Sequence, residues 1–344
     1  MRISRIAALA ATLSGGLLLG GPAQATLTVL EAFNGNVGLS TDGLGLLSTT
    51  TGTISASVPV GSTVLKAWLY GVYNSNDPAG VTFNGSAITY DVDLPNTTAC
   101  CDIGSRRADV TGLVAPTING GPGGVYDFDV IEANTGSGHD GTALVVVYSN
   151  PALPEATVAI LDGFADVTGD TTTLNFLEPL DVDDPGFDPQ LYIGDGFSCS
   201  GQRSTIEVNG QLLTENAGNF DDGTPPPPAG CQNGNLITVG SFDDPVSPLL
   251  PSYADDTEHY SLLPFIEDGD TSIVIETFNA SQDDNIFLAA IYTAGIAGVN
   301  EPPPPPTGDD DPPSTDVPAP GATLLFLIGL GAVGFGRRFA RRRI

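Results

Sequence analysis

Aspartates concentrate in one short segment of the chain, the sequence DVDDPGFD at 181–188. Asp181, Asp183, Asp184 and Asp188 surround a Pro-Gly turn there. Calcium takes six to eight oxygen ligands from carboxylates, carbonyls and water, so a dense acidic turn is a candidate for binding it. The segment begins like a D-x-D-x-x-G loop but has no closing glutamate. Two interpretations stay open, a calcium site or solvated acidic turns, and calcium is the only cofactor that the sequence suggests.

Side chains for nucleophilic catalysis are not arranged in a recognisable motif. A nucleophile elbow requires G-x-S-x-G, whereas the segment GFSCSG at 196–201 has Ser200 where the second glycine should be. His139 lies among glycines and is typical of a turn before a strand, and His259 in DDTEHY is interpreted as a solvated loop residue. With 41 acids in the chain, sequence cannot single out a carboxylate pair for glycoside hydrolysis. We expect no catalytic residues and no enzyme.

The elements that must position any site are β-strands. Five segments rich in Val, Ile, Tyr and Phe are bounded by Gly, Asn, Asp and Pro, which is the pattern of strands. They cover 63–73, 141–150, 155–164, 271–279 and 285–293. The single tryptophan, Trp68, lies in the first of them and is expected in the core.

Two Asn-Gly pairs mark tight turns. VTFNGSAITY (81–90) and TIEVNGQLLT (205–214) each place Asn-Gly between two short β-prone runs, which is the strongest local signal for a hairpin. Amphipathic helices are scarce, and only AGNFDD and YSLLPFI suggest single helical turns. Many short strands with regular turn signals predict an all-β fold, a β-sandwich of the jelly-roll or Greek-key kind, over residues 26–299.

Four cysteines are present, and the chain carries an export signal. Residues 1–25 have two arginines, an apolar stretch and the small-x-small sequence Ala-Gln-Ala, which is the pattern of a signal peptide that signal peptidase removes. An even number of cysteines in an exported chain favours disulfides. We expect a bridge between Cys199 and Cys231. Cys100 and Cys101 either bond each other or stay reduced, and crossed pairing with the later two is the alternative.

The charge of the body is extreme. Between Thr26 and Asp316 all 41 acids are opposed by only four cations, which are Lys66, Arg106, Arg107 and Arg203. Nucleic-acid binding needs Lys and Arg to neutralise phosphates, so such a partner is excluded. Hydrophobic residues still make up 41% of the chain, which is enough for a folded domain.

The C-terminus has three parts. Residues 300–316 are rich in proline and aspartate and predict an extended stalk. An apolar run at 321–336 predicts a short transmembrane helix, since flanking arginines can extend it by snorkelling. The arginine cluster behind it is expected to stay in the cytoplasm, with the domain outside. The cluster comprises Arg337, Arg338, Arg341, Arg342 and Arg343.

A short proline motif, an apolar helix and terminal arginines, together with a signal peptide, resemble a PEP-CTERM protein. The motif here is Val317, Pro318, Ala319 and Pro320, so alanine replaces the glutamate of the family's Pro-Glu-Pro. The resemblance covers 317–344 and implies export in a Gram-negative bacterium, insertion in the inner membrane and processing by exosortase. The body, through RRADVTGLV (106–114) and the segment at 141–164, more weakly resembles β-rich bacterial surface domains of the DUF3344 type.

These features together predict a non-enzymatic protein of the cell surface or extracellular matrix. The resemblance implies exosortase and signal peptidase as processing partners, and exopolysaccharide or other surface proteins as binding partners in adhesion or a biofilm matrix. The alternative is a secreted hydrolase acting on a polysaccharide or an ester.

Overall fold

The computed structural model describes nine ranges of the chain, and they contain most of the exported body. They are 26–46, 49–74, 80–96, 103–133, 139–196, 204–217, 237–246, 258–279 and 286–303. These ranges fall in one compact unit that ends at Pro304. The signal peptide, all four cysteines, the transmembrane segment, the sorting motif and most of the stalk lie outside the described residues, so the predictions about them stay predictions.

The described part is built from strands, with one short α-helix and one 3-10 turn. The strands are β1 Thr28–Gly35, β2 Val37–Leu44, β3 Thr51–Val58, β4 Thr63–Asn74, β5 Val81–Phe83, β6 Ser86–Ala87, β7 Val92–Pro95, β8 Ile103–Asp109, β9 Gly124–Glu132, β10 His139–Ser149, β11 Ala156–Asp162, β12 Asp170–Phe176, β13 Gln190–Asp195, β14 Ser204–Val208, β15 Gln211–Ala217, β16 Thr238–Val239, β17 His259–Ser261, β18 Ser272–Phe278, β19 Ile286–Ala294 and β20 Ala297–Val299. The helix α1 is Thr111–Ile118 and the 3-10 turn is Leu263–Phe265.

The first half of the body is a sandwich of two antiparallel sheets. Its inner sheet has the order β2-β10-β4-β8-β7, and its outer sheet has the order β3-β9-β5-β6. If β7 is set aside as an addition to the edge, eight strands remain. The inner sheet then takes the first, eighth, third and sixth of them, and the outer sheet takes the second, seventh, fourth and fifth. This alternation between the two sheets is the strand order of a jelly roll.

The second half repeats this order. Its inner sheet is β1-β11-β19-β13-β16, with β17 also paired to β13, and its outer sheet is β15-β14-β18-β12-β20. We count from β11, take β16 and β17 together as one strand because both pair with β13, and set β20 aside as an addition to the edge. The inner sheet then again holds the first, eighth and third strands with the sixth at the edge, and the outer sheet holds the second, seventh, fourth and fifth. The prediction of an antiparallel β-sandwich is confirmed, and the structure contains two such sandwiches.

The two sandwiches pack through their inner sheets, so four sheets form three successive cores. The first core joins outer and inner sheets of the first half and also receives α1. The central core lies between the two inner sheets, and the third core joins the inner and outer sheets of the second half. Each inner sheet is therefore covered on both faces.

Burial on both faces explains the sequence of the inner strands. In β10 the side chains of Val145 and Val147 enter the central core, while Leu144 and Val146 enter the first core. All seven residues of β11 are buried. A strand with one solvated face would alternate apolar and polar residues, whereas a strand covered twice must be apolar throughout. The continuous apolar runs of the sequence are the consequence.

Both predicted hairpins are confirmed. Asn84 and Gly85 have φ values of 46° and 75°, and Asn209 and Gly210 have 50° and 72°. Two successive positive φ angles define the type I′ turn that suits the twist of a two-stranded hairpin. The first turn joins β5 to β6 and the second joins β14 to β15, which are the fourth and fifth strands of each sandwich. Of the predicted helical turns, YSLLPFI contains the 3-10 turn.

The first strand links the two halves of the body. β1 and β2 are separated by Asn36 alone, yet β1 pairs with β11 in the second sandwich and β2 pairs with β10 in the first. A further connection lies at the other side of β2, where the Thr41 hydroxyl donates to the Gly240 carbonyl at 2.7 Å and the Phe242 N–H donates to the Thr41 carbonyl at 2.9 Å. The chain thus crosses the central interface between β1 and β2, and these hydrogen bonds join the two halves at a second place.

A buried ion pair connects the two inner sheets. Arg107 of β8 and Asp162 of β11 form a salt bridge in which their side chains are 13% and 5% exposed. The Tyr70 hydroxyl, from β4, donates to the same carboxylate at 3.1 Å. A buried charge is tolerated only when it is paired and hydrogen-bonded. Here the two charged residues come from opposite sides of the central core.

We predict that Arg107→Gln lowers the free energy of unfolding by about 3–5 kcal/mol, because it leaves the Asp162 carboxylate buried without its cation. Lys66→Gln is the matched control. It breaks an ion pair to Asp109 whose side chains are 37% and 42% exposed, and such pairs contribute about 0–1 kcal/mol. Urea unfolding followed by circular dichroism measures both. Equal losses for the two variants would contradict the assignment of Arg107 to the central interface.

Candidate functional site

A cleft opens where β2 of the first sandwich meets β13 and β17 of the second. Its main part has a volume of about 360 Å³, and an adjoining part has about 130 Å³. The two parts share the side chains of Leu39, Tyr148, Gln190 and Tyr192. Since these residues come from both sandwiches, neither half forms the cleft alone.

Strand register brings the aromatic side chains together. Tyr192 lies opposite His259 in the pairing of β13 with β17, and Gln190 lies opposite Tyr292 in the pairing of β13 with β19. The rings of Tyr192 and His259 stack, with centroids 4.2 Å apart and an interplanar angle of 16°. Residues two apart on a strand share a face, so one face of the inner sheet presents this set to the cleft.

Gln190 is the centre of a hydrogen-bond network. Its Nε2 donates to Asp188 Oδ2 at 2.5 Å, which fixes its amide so that Oε1 faces the rings. Oε1 then accepts from the Tyr192 hydroxyl and lies 3.1 Å from His259 Nε2. Because a carbonyl oxygen can only accept, His259 carries its proton on Nε2. The network holds the amide and two rings in one arrangement.

Burial keeps the ionisable groups of the cleft neutral. It lowers the pKa of His259 below its usual value, so the imidazole is uncharged at neutral pH. It raises the pKa of Tyr148 to about 12 and also raises the pKa of Tyr192 and Tyr292, and the carboxylate of Asp188 adds to the effect on both. Among the described residues that line either part of the cleft, none is an aspartate, glutamate, lysine or arginine.

Gly38 allows Tyr148 to lie across β2. A Cβ atom at position 38 would stand 2.6 Å from two ring carbons of Tyr148, which is closer than atoms can approach. The two residues are opposite each other in the pairing of β10 with β2. The absence of a side chain at Gly38 therefore gives the tyrosine its place in the cleft wall.

Two half-buried carboxyl groups lie beside the cleft, close in the chain or through Ser241 to Phe242 in its wall. Asp42 accepts hydrogen bonds from the Ser55 N–H and from the Ser241 hydroxyl at 3.1 Å. Asp244 accepts from the Ser241 N–H at 2.8 Å. Burial raises the pKa of Asp42 to about 7 and that of Asp244 to about 6, and the charge of Asp243 contributes to both increases.

The predicted calcium loop has a local structural role in the described residues. Asp181 accepts from the Asp183 N–H at 3.0 Å, Asp184 accepts from the Gly186 N–H at 2.8 Å, and Asp188 binds Gln190. Oxygens of Asp181 and Asp184 thus stabilise turns of their own loop. Within the described ranges, no three Asp, Glu, His or Cys side chains come together as a set of metal ligands. Calcium binding stays a prediction for this loop.

Both histidines are placed differently from what the sequence suggested. His259 was interpreted as a solvated loop residue, and this is wrong: it lies in β17 and is 6% exposed. His139 begins β10, where it is 5% exposed and its Nε2 lies 3.4 Å from Glu132 Oε1. Glycine neighbours obscured the strand signal at His139, and acidic neighbours obscured it at His259. Ser198 and Ser200 lie outside the described residues, and Trp68 is in the central core as predicted.

The tyrosines and Gln190 of the cleft were not singled out by sequence. Tyr148 and Tyr292 sit near the ends of apolar runs, and Q-L-Y at 190–192 has the period of a strand, but their convergence depends on how the two sandwiches pack. The only local signal is a polar glutamine between two buried segments.

Stability should depend on pH through the carboxyl groups of Asp42 and Asp244. Each has a folded-state pKa above its unfolded value near 4, so folding takes up protons, and the stabilisation present at low pH is lost as pH rises through 6 and 7. We expect the free energy of unfolding to fall by about 3 kcal/mol between pH 5 and pH 8, since one pKa unit corresponds to about 1.4 kcal/mol and solvent screens part of the contribution of Asp244. Asp244→Asn should reduce this slope in urea unfolding at both pH values. Asp183→Asn, which removes an exposed carboxylate, should leave the slope as in the wild type; an unchanged slope in Asp244→Asn would contradict the prediction.

Comparison with known proteins identifies a sorting signal in the chain. No curated protein matches it. Within the described residues, no helix has the length and apolar character needed to cross a membrane, and the predicted transmembrane helix lies outside them. The family model for the PEP-CTERM protein-sorting motif matches residues 316–343. The resemblance of the body to DUF3344-type domains stays a prediction. The chain therefore carries a PEP-CTERM sorting motif, which marks an exported protein that exosortase sorts to the cell envelope.

Proposed function

We propose that this chain is a non-enzymatic surface protein of a Gram-negative bacterium that acts in the exopolysaccharide matrix or in adhesion. The observation that carries the proposal is the sorting motif at 316–343 behind a proline-rich stalk and a folded acidic body. The tail gives a route to the surface and the stalk gives a spacer. The body is left as the part that contacts the exterior.

The body supports a binding role over a catalytic one. The aromatic cleft contains no paired carboxylates and no serine–histidine contact among its described lining residues. His259 donates to an amide and stacks on a ring, so its imidazole is used for structure and not as a general base. A rigid neutral cleft on a stalk suits recognition of a ligand in the matrix.

The charge of the body also suits this setting. Its 41 acids against four cations keep copies of the protein apart and soluble at high local density. Anionic matrix polymers and nucleic acids would be repelled by the same field. The proposed contacts with the matrix therefore run through uncharged surface, such as the described lining of the cleft.

Before processing, the apolar segment at 321–336 is proposed to hold the chain in the inner membrane with the arginine cluster on the cytoplasmic side. Exosortase then removes the tail. The envelope-directed part would be residues 26 to about the sorting motif, with the signal peptide already cleaved by signal peptidase.

We predict that the processed protein from the native host starts near Thr26 and lacks the arginine cluster. Intact-mass analysis of the surface fraction measures both ends. In a strain without exosortase the tail should be retained and the protein should stay in the membrane fraction. Replacing Pro318 and Pro320 with alanine should impair processing, whereas Pro312→Ala, a stalk proline outside the motif match, should not.

Recovering surface protein with its arginines intact would refute sorting by this route. A separate assay addresses the matrix role: deletion of the gene should reduce matrix-dependent aggregation or attachment of the cells, and the wild-type gene should restore it. Unchanged aggregation and attachment, with normal processing, would refute the matrix role while leaving the export route intact.

A further inference from the structure

The cleft between the two sandwiches combines three properties that together indicate a ligand class. Its walls combine aromatic rings with aliphatic side chains, its polar groups are amide, imidazole, phenol and the Ser57 hydroxyl, and its described lining is uncharged. The last property is unexpected in so acidic a chain. Charged side chains are placed elsewhere on the surface, and the pair Asp42 and Asp244 beside the cleft have raised pKa values that hold their charge down.

Aromatic rings with nearby hydrogen-bonding groups match the chemistry of sugars. A pyranose ring presents C–H groups on its faces and hydroxyl groups on its rim, so it packs its face against an aromatic ring while its hydroxyls bond to amides and phenols. Tyrosine is suited to this contact because it is apolar along its ring, polar at its tip and rigid. The cleft supplies the half-buried ring of Tyr292, the hydroxyl-bearing edges of Tyr148 and Tyr192, and Gln190 as the polar partner between them.

The network is held by hydrogen bonds among the protein's own side chains. Asp188 orients Gln190, and Gln190 holds Tyr192 and His259 through one oxygen. Binding to such a site orders few additional side chains, which lowers the entropic cost of association. The main part of the cleft has a volume of about 360 Å³, which lies within the range of roughly 300–1,000 Å³ that is usual for ligand pockets. The adjoining part extends the cleft along the junction of the two sandwiches.

We propose that this cleft binds a short segment of a neutral, hydroxyl-rich glycan. The proposal deepens the surface role stated above and rests on it, because export is what brings the cleft to such a polymer. A glycan chain enters along the cleft, with a sugar ring against the half-buried Tyr292 and hydroxyls bonded to the second N–H of Gln190 Nε2 and to the Tyr148 hydroxyl.

Charged ligands fit the site less well. An anionic sugar such as a uronate would meet the field of 41 acids with no lysine or arginine among the described lining residues. An alkylammonium ligand is favoured by aromatic rings, but it would also call for a carboxylate in the wall, and the nearest one, Asp188, is exposed and bonded to Gln190. The neutral lining favours a neutral ligand over both.

The test uses the full chain, extracted in mild detergent, so that it does not depend on correct sorting. Isothermal titration calorimetry measures binding of neutral hexasaccharides of the cello-, laminari-, malto- and manno-series. An alginate-derived hexasaccharide and tetramethylammonium chloride serve as anionic and cationic comparators. We expect at least one neutral series to bind, and both charged probes to bind at least about tenfold more weakly, a difference of about 1.4 kcal/mol.

Variants then locate the binding. Tyr292→Ala and Gln190→Ala should each weaken the neutral glycan by about tenfold or more, which again corresponds to about 1.4 kcal/mol. Tyr73→Ala is the matched control. Tyr73 is also half-buried, but it lies near the end of β4, whereas Tyr148 of the cleft pairs with Val64 near the start of that strand. This variant should change affinity less than about twofold. Tyr192→Phe keeps the ring and removes the hydroxyl, so it tests the site even where a truncation disturbs folding. Near-ultraviolet circular dichroism reports whether each variant retains its packing.

The proposal is overturned if no neutral series binds at millimolar concentration, if a charged probe binds more tightly, or if cleft variants that keep their packing bind like the wild type. These outcomes differ from a failure of the surface role. Glycan binding with an unprocessed tail would refute sorting alone, and normal processing without glycan binding would refute the cleft alone.

Discussion

Face-to-face packing of the two inner sheets is the constraint on which the rest of the body depends. A sheet covered on both faces cannot use polar residues on alternate positions, so β10, β11 and β19 are apolar nearly throughout. The charged pair Arg107 and Asp162 spans this interface, with one partner from each sandwich, and the Tyr70 hydroxyl also bonds to Asp162. Hydrophobic burial thus supplies the attraction between the sandwiches, while the ion pair and the crossing of β1 restrict how they can be aligned.

The cleft is a consequence of the same packing. Two twisted sheets diverge towards their edges, and at the edge formed by β2 and β17 the space between them is not filled by aliphatic side chains. Tyrosine, histidine and glutamine occupy it instead, and Gly38 gives up its side chain so that Tyr148 can cover the strand. A site built in this way has rigid walls, because Tyr148, Tyr192 and Tyr292 belong to inner-sheet strands that are packed on both faces.

Much of the fold could be predicted from the sequence, since strands and hairpin turns have local signals. The equivalent Asn-Gly turns at Asn84 and Asn209, each between a fourth and a fifth strand, even carry a trace of the repeated topology. The stacking of two sandwiches could not be predicted in this way, because a continuous apolar run fits a twice-buried strand or any other buried segment equally well. The helix at 111–118 was not predicted because it is one short segment containing glycine and proline. The cleft residues were not predicted because strand register and inter-sheet packing decide which side chains meet, and both depend on long-range contacts.

A binding site between the two sandwiches links recognition to stability. Any ligand that contacts Tyr148 from the first sandwich together with Gln190 and Tyr192 from the second binds only the assembled pair, so it stabilises the central interface by mass action. The converse also holds: whatever loosens that interface, such as loss of the Arg107 pair, weakens the site without touching its residues. For an exported protein, which no chaperone of the cytoplasm can refold, this coupling gives an advantage to an interface that is large, apolar and crossed by the chain. The duplicated jelly roll provides such an interface, and a single sandwich would have one wall of the cleft but no partner to close it.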